Sequence, residues 1–491
     1  MKRIIYSIAI LLAVSAGSFA RADQLQPLDG TAKYVFFFIG DGMGFTQVHS
    51  AEAYLNTLDN GTTDGPRNVR ANMLSFTGDL PYAGASTTYD YGVLITDSAS
   101  AGTALACGKK TYSGVVSVDP NTKSIPYKTI AELAKEKGMR VGIVSSVSID
   151  HATPAVFYSH IASRSNYHGI DMQLAASNFD YFGGGGLKSP VSGSEDAVAS
   201  AIANGFQVVY GRAALNAIQP GQKVLAINSV LDPEKALPYE IDRDANDMSL
   251  ADYTSEGIRL LNNPNGFFMM VEGGKIDWTC HANDARTSIQ DVLAFDDAVQ
   301  KAIDFAQQHP SETLIVVTAD HETGGLTQGW AGTKYASAYE LMEGQTMSYD
   351  EFTSLVKAYA SNPAKVWIDP NSNLVDDPYM LDSIKSAFGL DYSKLSNFQK
   401  KQLEDAYDRS MNGSNIVSSE EDYLLYGGYD ALTVTCTHIL NALSGIGWTS
   451  YSHTAVPVPV LSNDSMFGGY YDNTMIPKKI AASMGYIGEL D

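Results

Sequence analysis

Cysteine is scarce: the 491 residues hold only Cys107, Cys280 and Cys436. So small and odd a count allows at most one disulfide, and no cysteine framework holds the fold together. Cys280 adjoins His281 but has no Cys-x-x-Cys partner, so ordinary buried thiols are the expectation. Basic residues are also few, 33 Lys and Arg against 55 Asp and Glu, for a formal net charge of −22. A chain of that sign repels polyanions, which argues against a nucleic-acid partner. Beyond Ala22 there is no run of about 18 apolar residues, so no membrane anchor is expected in the remainder. Internal repeats and long low-complexity segments are absent too. The length suits one large α/β domain with an insertion, or two to three ordinary domains.

At the amino end Lys2 and Arg3 precede the apolar run IIYSIAILLAV and small residues ending Ala20-Arg21-Ala22. This is the layout of a signal peptide over residues 1–22, and it predicts export to the periplasm or the medium. Residues 23–491 would then form the catalytic domain. Four apolar runs, YVFFFIG, MRVGIVSS, GFFMMVEGG and TLIVVTADHE, suit strands buried on both faces. Helical patterns alternate with them: KTIAELAKEKG closes at Gly138, and ARTSIQDVLAFDDAVQKAIDFAQQHP closes at His309-Pro310. The predicted fold is α/β, a mainly parallel sheet sandwiched by helices. Residues 335–430 read as a helical insertion with amphipathic stretches and no strong strand. The run Gly183 to Gly186 reads as a tight loop rather than a phosphate cradle.

In such sheets chemistry gathers beyond the carboxyl ends of strands. Asp41, His151 with Thr153, Glu272, and Asp320 with His321 all fall at those ends. Each alone reads equally as a turn or cap residue. Ser98 lies in VLITDSASAGTALACG, where small side chains let a bulky anion come close, and a helix beginning there would favour a phosphoryl group. Taken alone, that serine reads better as a plain N-cap. Asp277 and His281 are four apart, so a helical turn puts both on one face where they can meet a single zinc ion. Asp320 and His321 stand side by side at a strand end, next to glycines.

Together FFIGDGMG, ITDSASAGTALACG, DHATPAVFYSHIASR, EGGKIDWTCH, TADHETGG and GWTSYSHTAVPVPV resemble the alkaline phosphatase family. The resemblance implies hydrolysis of small phosphate monoesters through a phosphoserine at Ser98, with two zinc ions and one magnesium ion. It places one zinc on Asp277, His281 and His453, and a second on Asp41, Asp320 and His321 beside Ser98. It places magnesium on Asp41, Thr153 and Glu272, gives Arg164 the non-bridging phosphate oxygens, and has Asp97 orient Arg164. A homodimer is implied as well. The formal charge of the assembled site comes to about +2, enough to balance a monoester dianion inside an acidic chain. His151 and Trp278 stand where one well-known bacterial pattern has Asp and Lys, a pairing similar to some marine bacterial members. An imidazole there would let zinc enter the third site.

Two other readings remain at this point. A phosphodiesterase or sulfatase uses the same metal scaffold, and comparing monoester with diester hydrolysis separates them. A phosphate-binding surface protein without catalysis is the other, and metal removal followed by add-back separates that.

Overall fold

A computed structural model describes residues 25–28, 30–64, 72–362, 373–413, 417–486, 488 and 490, so the expected leader at 1–22 lies outside the described residues. One sheet of ten strands organises the chain. The strands are β1 Tyr34–Gly40, β2 Tyr82–Thr87, β3 Arg140–Ser145, β4 Tyr181–Gly184 and β5 Gln207–Tyr210. They continue with β6 Val224–Ile227, β7 Phe267–Gly273, β8 Thr313–Thr318, β9 Val458–Ser462 and β10 Gly469–Asp472. Their order is β10-β2-β9-β8-β1-β7-β3-β4-β6-β5. Every neighbouring pair is parallel except the two made by β9, with β8 and with β2. The expected mainly parallel sheet between helices is the one observed.

The strand β1 reads YVFFFIG because it is buried on both faces. Phe36 and Phe38 enter a core shared with Met269, Val271 and Phe295 of the helix Ala285–Gln308. Phe37 and Ile39 enter the opposite core with Phe268, Met270 and Leu105 of the helix Ser98–Cys107. Register then sets the site. Ile39 pairs with both Glu272 and Thr318, so Asp41 and Asp320, each two residues further on, leave the sheet at the level of Glu272.

The glycine run at 183–186 is only half a loop, because Gly183 and Gly184 belong to β4. A side chain at Gly184, where φ is +127°, would sit 1.9 Å from the carbonyl of Ser145 in β3. The glycine lets two strands approach, a need invisible without their pairing.

Between Tyr349 and Tyr426 the described residues form the helices Tyr349–Ala360, Pro378–Phe388, Asn397–Met411 and Glu420–Tyr426, with short 3-10 turns and no strand. Phe352, Ile384, Phe388, Leu403 and Tyr407 give this segment its own apolar cluster, which also takes Leu432, Cys436 and Leu440 from the helix Ala431–Ser444. Its root is tied down by carboxylates: Ser348 N–H donates to Asp242 at 2.9 Å and Tyr349 N–H to Asp284 at 3.0 Å. All three cysteines are free and buried.

Candidate active site

The helix Ser98–Cys107 begins at Ser98, but the cap is Asp97, whose Oδ1 accepts from Ser100 N–H at 3.0 Å. Ser98 is therefore not the plain N-cap that its segment alone suggested, and its hydroxyl is free to face the site. Ser98 Oγ lies 3.3 Å from His321 Nε2. The small side chains behind it are a packing need: a methyl group on Gly102 would stand 3.0 Å from Val156, beside the short helix Ala152–Ala155.

Arg164 reaches the same place by a different route from a continuous helix running on from Thr153. The chain leaves Ala155, bridges Ile161 to Val116, and donates Arg164 N–H to Gly114 O at 2.8 Å. The helix has already ended at Ala155, and the pairing along Gly114 and Val116 brings the chain back so that the guanidinium reaches the site. Arg164 Nη1 pairs with Asp97 Oδ2 at 3.0 Å and Nη2 meets His151 Nε2 at 3.2 Å. Burial opposes charge on Asp97, yet Arg164 and the Ser100 donors outweigh it and hold the carboxyl below its ordinary range.

His321 Nε2 is the meeting point of the first carboxylate group. Asp41 Oδ1 lies at 3.3 Å and Asp320 Oδ2 at 3.2 Å, and all three residues are buried. Neither of those oxygens carries a hydrogen bond. Burial first, then the neighbouring carboxylates, push Asp41 and Asp320 well above the usual carboxylate range. A cation between them removes that penalty.

The second group is Asp277, His281 and His453. The two imidazoles face each other Nε2 to Nε2 at 3.1 Å, with Asp277 Oδ2 at 3.4 Å from His281 and Oδ1 at 3.7 Å from His453. Each ring's other nitrogen is taken by a carbonyl, His281 Nδ1 by Tyr451 O at 2.6 Å and His453 Nδ1 by Thr96 O at 2.8 Å. A carbonyl accepts only from N–H, so Nδ1 is a donor on both rings and the two Nε2 atoms face one another. Burial opposes charge on His281, yet Asp277 outweighs it and pushes the imidazole up to about 9, so without a metal a proton sits between the rings. A shared positive ion satisfies that arrangement.

The third group contains Asp41, Glu272 and His151, with Thr153 Oγ1 donating to Asp41 Oδ2 at 3.3 Å. Glu272 Oε1 and His151 Nδ1 are buried without hydrogen bonds. Burial pushes the Glu272 carboxyl up to about 7 and, with Arg164, the His151 imidazole down to about 3. Trp278 packs edge-on against His151, ring centroids 5.9 Å apart at 77°. Across the three groups the donor types, orphaned oxygens and facing imidazole nitrogens fit bound metal ions. The residues singled out from the sequence all come together here.

Comparison with known proteins decides the family. The alkaline phosphatase family model matches residues 32–182 and 192–486. The chain belongs to the alkaline phosphatase family. It is 31% identical to alkaline phosphatase 4 of Bacillus subtilis over 496 residues, 96% of this chain and 95% of that protein. Among solved structures, the cold-active alkaline phosphatase of a psychrophilic Shewanella superposes with a TM-score of 0.74 at 30% identity, covering 92% of this chain and 99% of that one. The alkaline phosphatase of the Antarctic bacterium TAB5 superposes with a TM-score of 0.62 at 25% identity, covering 95% and 100%. The activity is phosphomonoester hydrolysis by a metal-dependent enzyme.

Four contributors to this alkaline phosphatase site escaped sequence reading. Thr323 Oγ1 donates to Asp277 Oδ1 at 2.5 Å and meets His321 Nδ1 at 3.2 Å, so it ties the two histidine groups together. Its place in TADHETGG, two residues after His321, was the available signal. Ser145 hydrogen-bonds Glu272 from the paired end of β3, a contact set by register. The carbonyls of Thr96 and Tyr451 leave no trace in side-chain identity. Cys280 takes no part in the metal groups, and its thiol meets Ser288 Oγ at 3.4 Å.

Proposed function

We propose that Ser98 is the nucleophile of this phosphomonoesterase, and that phosphate monoesters are cleaved by two in-line displacements through a phosphoserine. The observation that carries the reading is the position of Ser98 Oγ, 3.3 Å from the same His321 Nε2 that faces Asp41 and Asp320. In the first step Ser98 Oγ attacks phosphorus, the bond to the ester oxygen breaks, and the alcohol leaves. In the second a water oxygen attacks phosphorus from the vacated side, the bond to Ser98 Oγ breaks, and inorganic phosphate is released with configuration retained. Arg164, held by Asp97 and His151, presents its remaining donors to the non-bridging phosphate oxygens at little orientational cost. The free N–H groups of the helix Ser98–Cys107 add positive potential at its amino end.

Asp277, His281 and His453 would hold one zinc, Asp41, Asp320 and His321 a second, and Asp41, Thr153 and Glu272 a magnesium. The imidazole of His151 beside the last group favours admission of zinc there as well. Bound metals supply Lewis acidity and countercharge for the oxygens at phosphorus. Trapping the phosphoryl group on Ser98, with loss of turnover in Ser98→Ala, tests the reading; a label on another residue overturns it. A diester analogue hydrolysed faster than its monoester would move the enzyme to the phosphodiesterases.

The same proposal extends to the whole chain. Residues 1–22 direct export to the periplasm or medium, and the mature protein starts at Asp23. Residues 335–430 form an insertion within the catalytic domain, its packing continued by the helix Ala431–Ser444. Two copies assemble as a homodimer. Amino-terminal mass of the exported protein and sedimentation of the intact chain are the checks. Among the described residues no helix is long and apolar enough to cross a membrane.

A further inference from the structure

A cavity of about 810 Å³ opens between the helical insertion and the loop from Trp448 to Tyr451. Its volume is that of a small-molecule site. Apart from Tyr451, whose carbonyl holds His281, none of the residues placed above in phosphoryl transfer or metal binding lines it, and Ser98 is not among its walls. Its faces are aromatic: Trp330, Phe398, Tyr423, Trp448 and Tyr451. Its polar edge is made of carboxamides, among them Gln399, Gln402 and Asn441.

The charge of the lining is the telling feature. In a chain of net charge −22, no Asp, Glu, Lys or Arg lines this cavity among the described residues. His438, which does, has its imidazole pushed down to about 4 by burial, and its Nε2 lies 3.1 Å from Asn283 Oδ1. Nothing there can offset a phosphate dianion, and enclosing one without countercharge is unfavourable. Ring faces and amide edges instead suit a flat, uncharged ring system with hydrogen-bonding groups. Phosphomonoester hydrolysis produces molecules of this class, because it strips the charged group from an aryl phosphate or a nucleotide and leaves a neutral alcohol.

The cavity shares a wall with the metal centre. Tyr451 lines it with its ring, while its carbonyl holds His281 Nδ1 at 2.6 Å. Asn283 Nδ2 donates to Ser450 O at 2.9 Å, and Thr449 and Ser450 N–H both donate to Gly324 O at 3.0 Å. The loop that borders the cavity is therefore also the one that orients a metal-group histidine. We propose that this cavity is a second binding site, for an uncharged nucleoside or aromatic alcohol of the kind the enzyme releases, and that its occupant acts on turnover through that loop rather than by competing at Ser98. The choice of ligand class rests on the phosphomonoesterase activity; the existence of the site does not.

Adenosine is the probe, titrated by calorimetry into the metal-loaded protein with and without saturating inorganic phosphate to fill the Ser98 pocket. The expected result is saturable binding in both titrations, and a fall in kcat for p-nitrophenyl phosphate without a matching rise in KM. Phe398 and Tyr423 are 68% and 45% exposed, so Phe398→Ala and Tyr423→Ala should fold normally and keep kcat/KM while weakening adenosine roughly tenfold each. Absence of saturable binding, loss of binding in phosphate, or unchanged affinity in both variants overturns the proposal. So does a shift toward monomer on sedimentation of Phe398→Asp, which would mean that a second copy of the chain fills the cavity. Ser98→Ala should still bind adenosine, which separates failure of this site from failure of the nucleophile assignment.

Discussion

Asp97 gives one carboxylate two tasks: Oδ1 caps the helix that begins at Ser98, and Oδ2 steers Arg164. Substitutions can separate the two. Asp97→Asn keeps a cap acceptor but loses the charge that holds the guanidinium, so KM for a phosphate monoester should rise roughly tenfold with little change in melting temperature. Asp97→Ala loses the cap as well and should cost about a further 1 kcal/mol of stability. Steady-state kinetics and thermal melts of both variants test this, and an unchanged KM in either removes Arg164 from Asp97's control. At this scale the sequence was legible for the side chains that face the three metal groups, though not for Thr323 and Ser145 behind them. Asp41, Glu272, Asp320 and His321 stand where apolar runs end, and Asp277 and His281 share a helical turn. It was silent where a carbonyl does the work, as Thr96 and Tyr451 do for His453 and His281. It was also silent on Arg164's path, which depends on the bridge of Ile161 to Val116, a pairing 45 residues apart in the chain that no local pattern encodes.

The helical insertion is fastened at its root by the buried carboxylate of Asp284 and the half-buried one of Asp242, and the latter carries a pH signature. Burial, helped by Glu351 and Asp284, lifts the Asp242 carboxyl from 3.8 to about 6 despite the opposing Ser348 hydrogen bonds. Between those two values the folded state binds more protons than the unfolded one, so stability falls as pH rises through the window and the full penalty persists above about 6. Asp242→Asn keeps an acceptor for Ser348 N–H and carries no charge. It should stabilise the protein by about 2 kcal/mol at pH 8, with the gain fading as pH drops toward 4. Melting curves across that range are the measurement; a gain that grows on acidification would mean the carboxyl is depressed rather than raised. Strand legibility has the same physical logic as the site. Runs such as YVFFFIG announce themselves because both faces are buried, whereas β9 does not, since Pro459 removes a ladder donor from VPVLS. Only its antiparallel place between β8 and β2 makes that strand.

For the whole molecule the governing fact is a net charge of −22 folded around four buried carboxylates, Asp41, Glu272, Asp277 and Asp320. Beyond the His281 imidazole beside Asp277, the rest of the chain offers them little positive charge, because Arg164 is already shared between Asp97 and His151. Metal ions must then contribute to folding as well as to chemistry. At a hundredfold excess over its dissociation constant, each bound ion adds about 2.7 kcal/mol to the folded state. Removing all metal by chelation should therefore abolish phosphomonoester hydrolysis and lower the melting temperature by several degrees. Because all three cysteines are free and no disulfide is at risk, the change should reverse on reloading. Zinc added first should recover most of the melting temperature through the group of Asp277, His281 and His453 and the group of Asp41, Asp320 and His321, and magnesium added next should complete the activity. Calorimetric melts paired with turnover at each addition are the check. Full activity after verified metal removal would sink the metal assignment, and a melting temperature indifferent to metal would show that some other group neutralises those carboxylates.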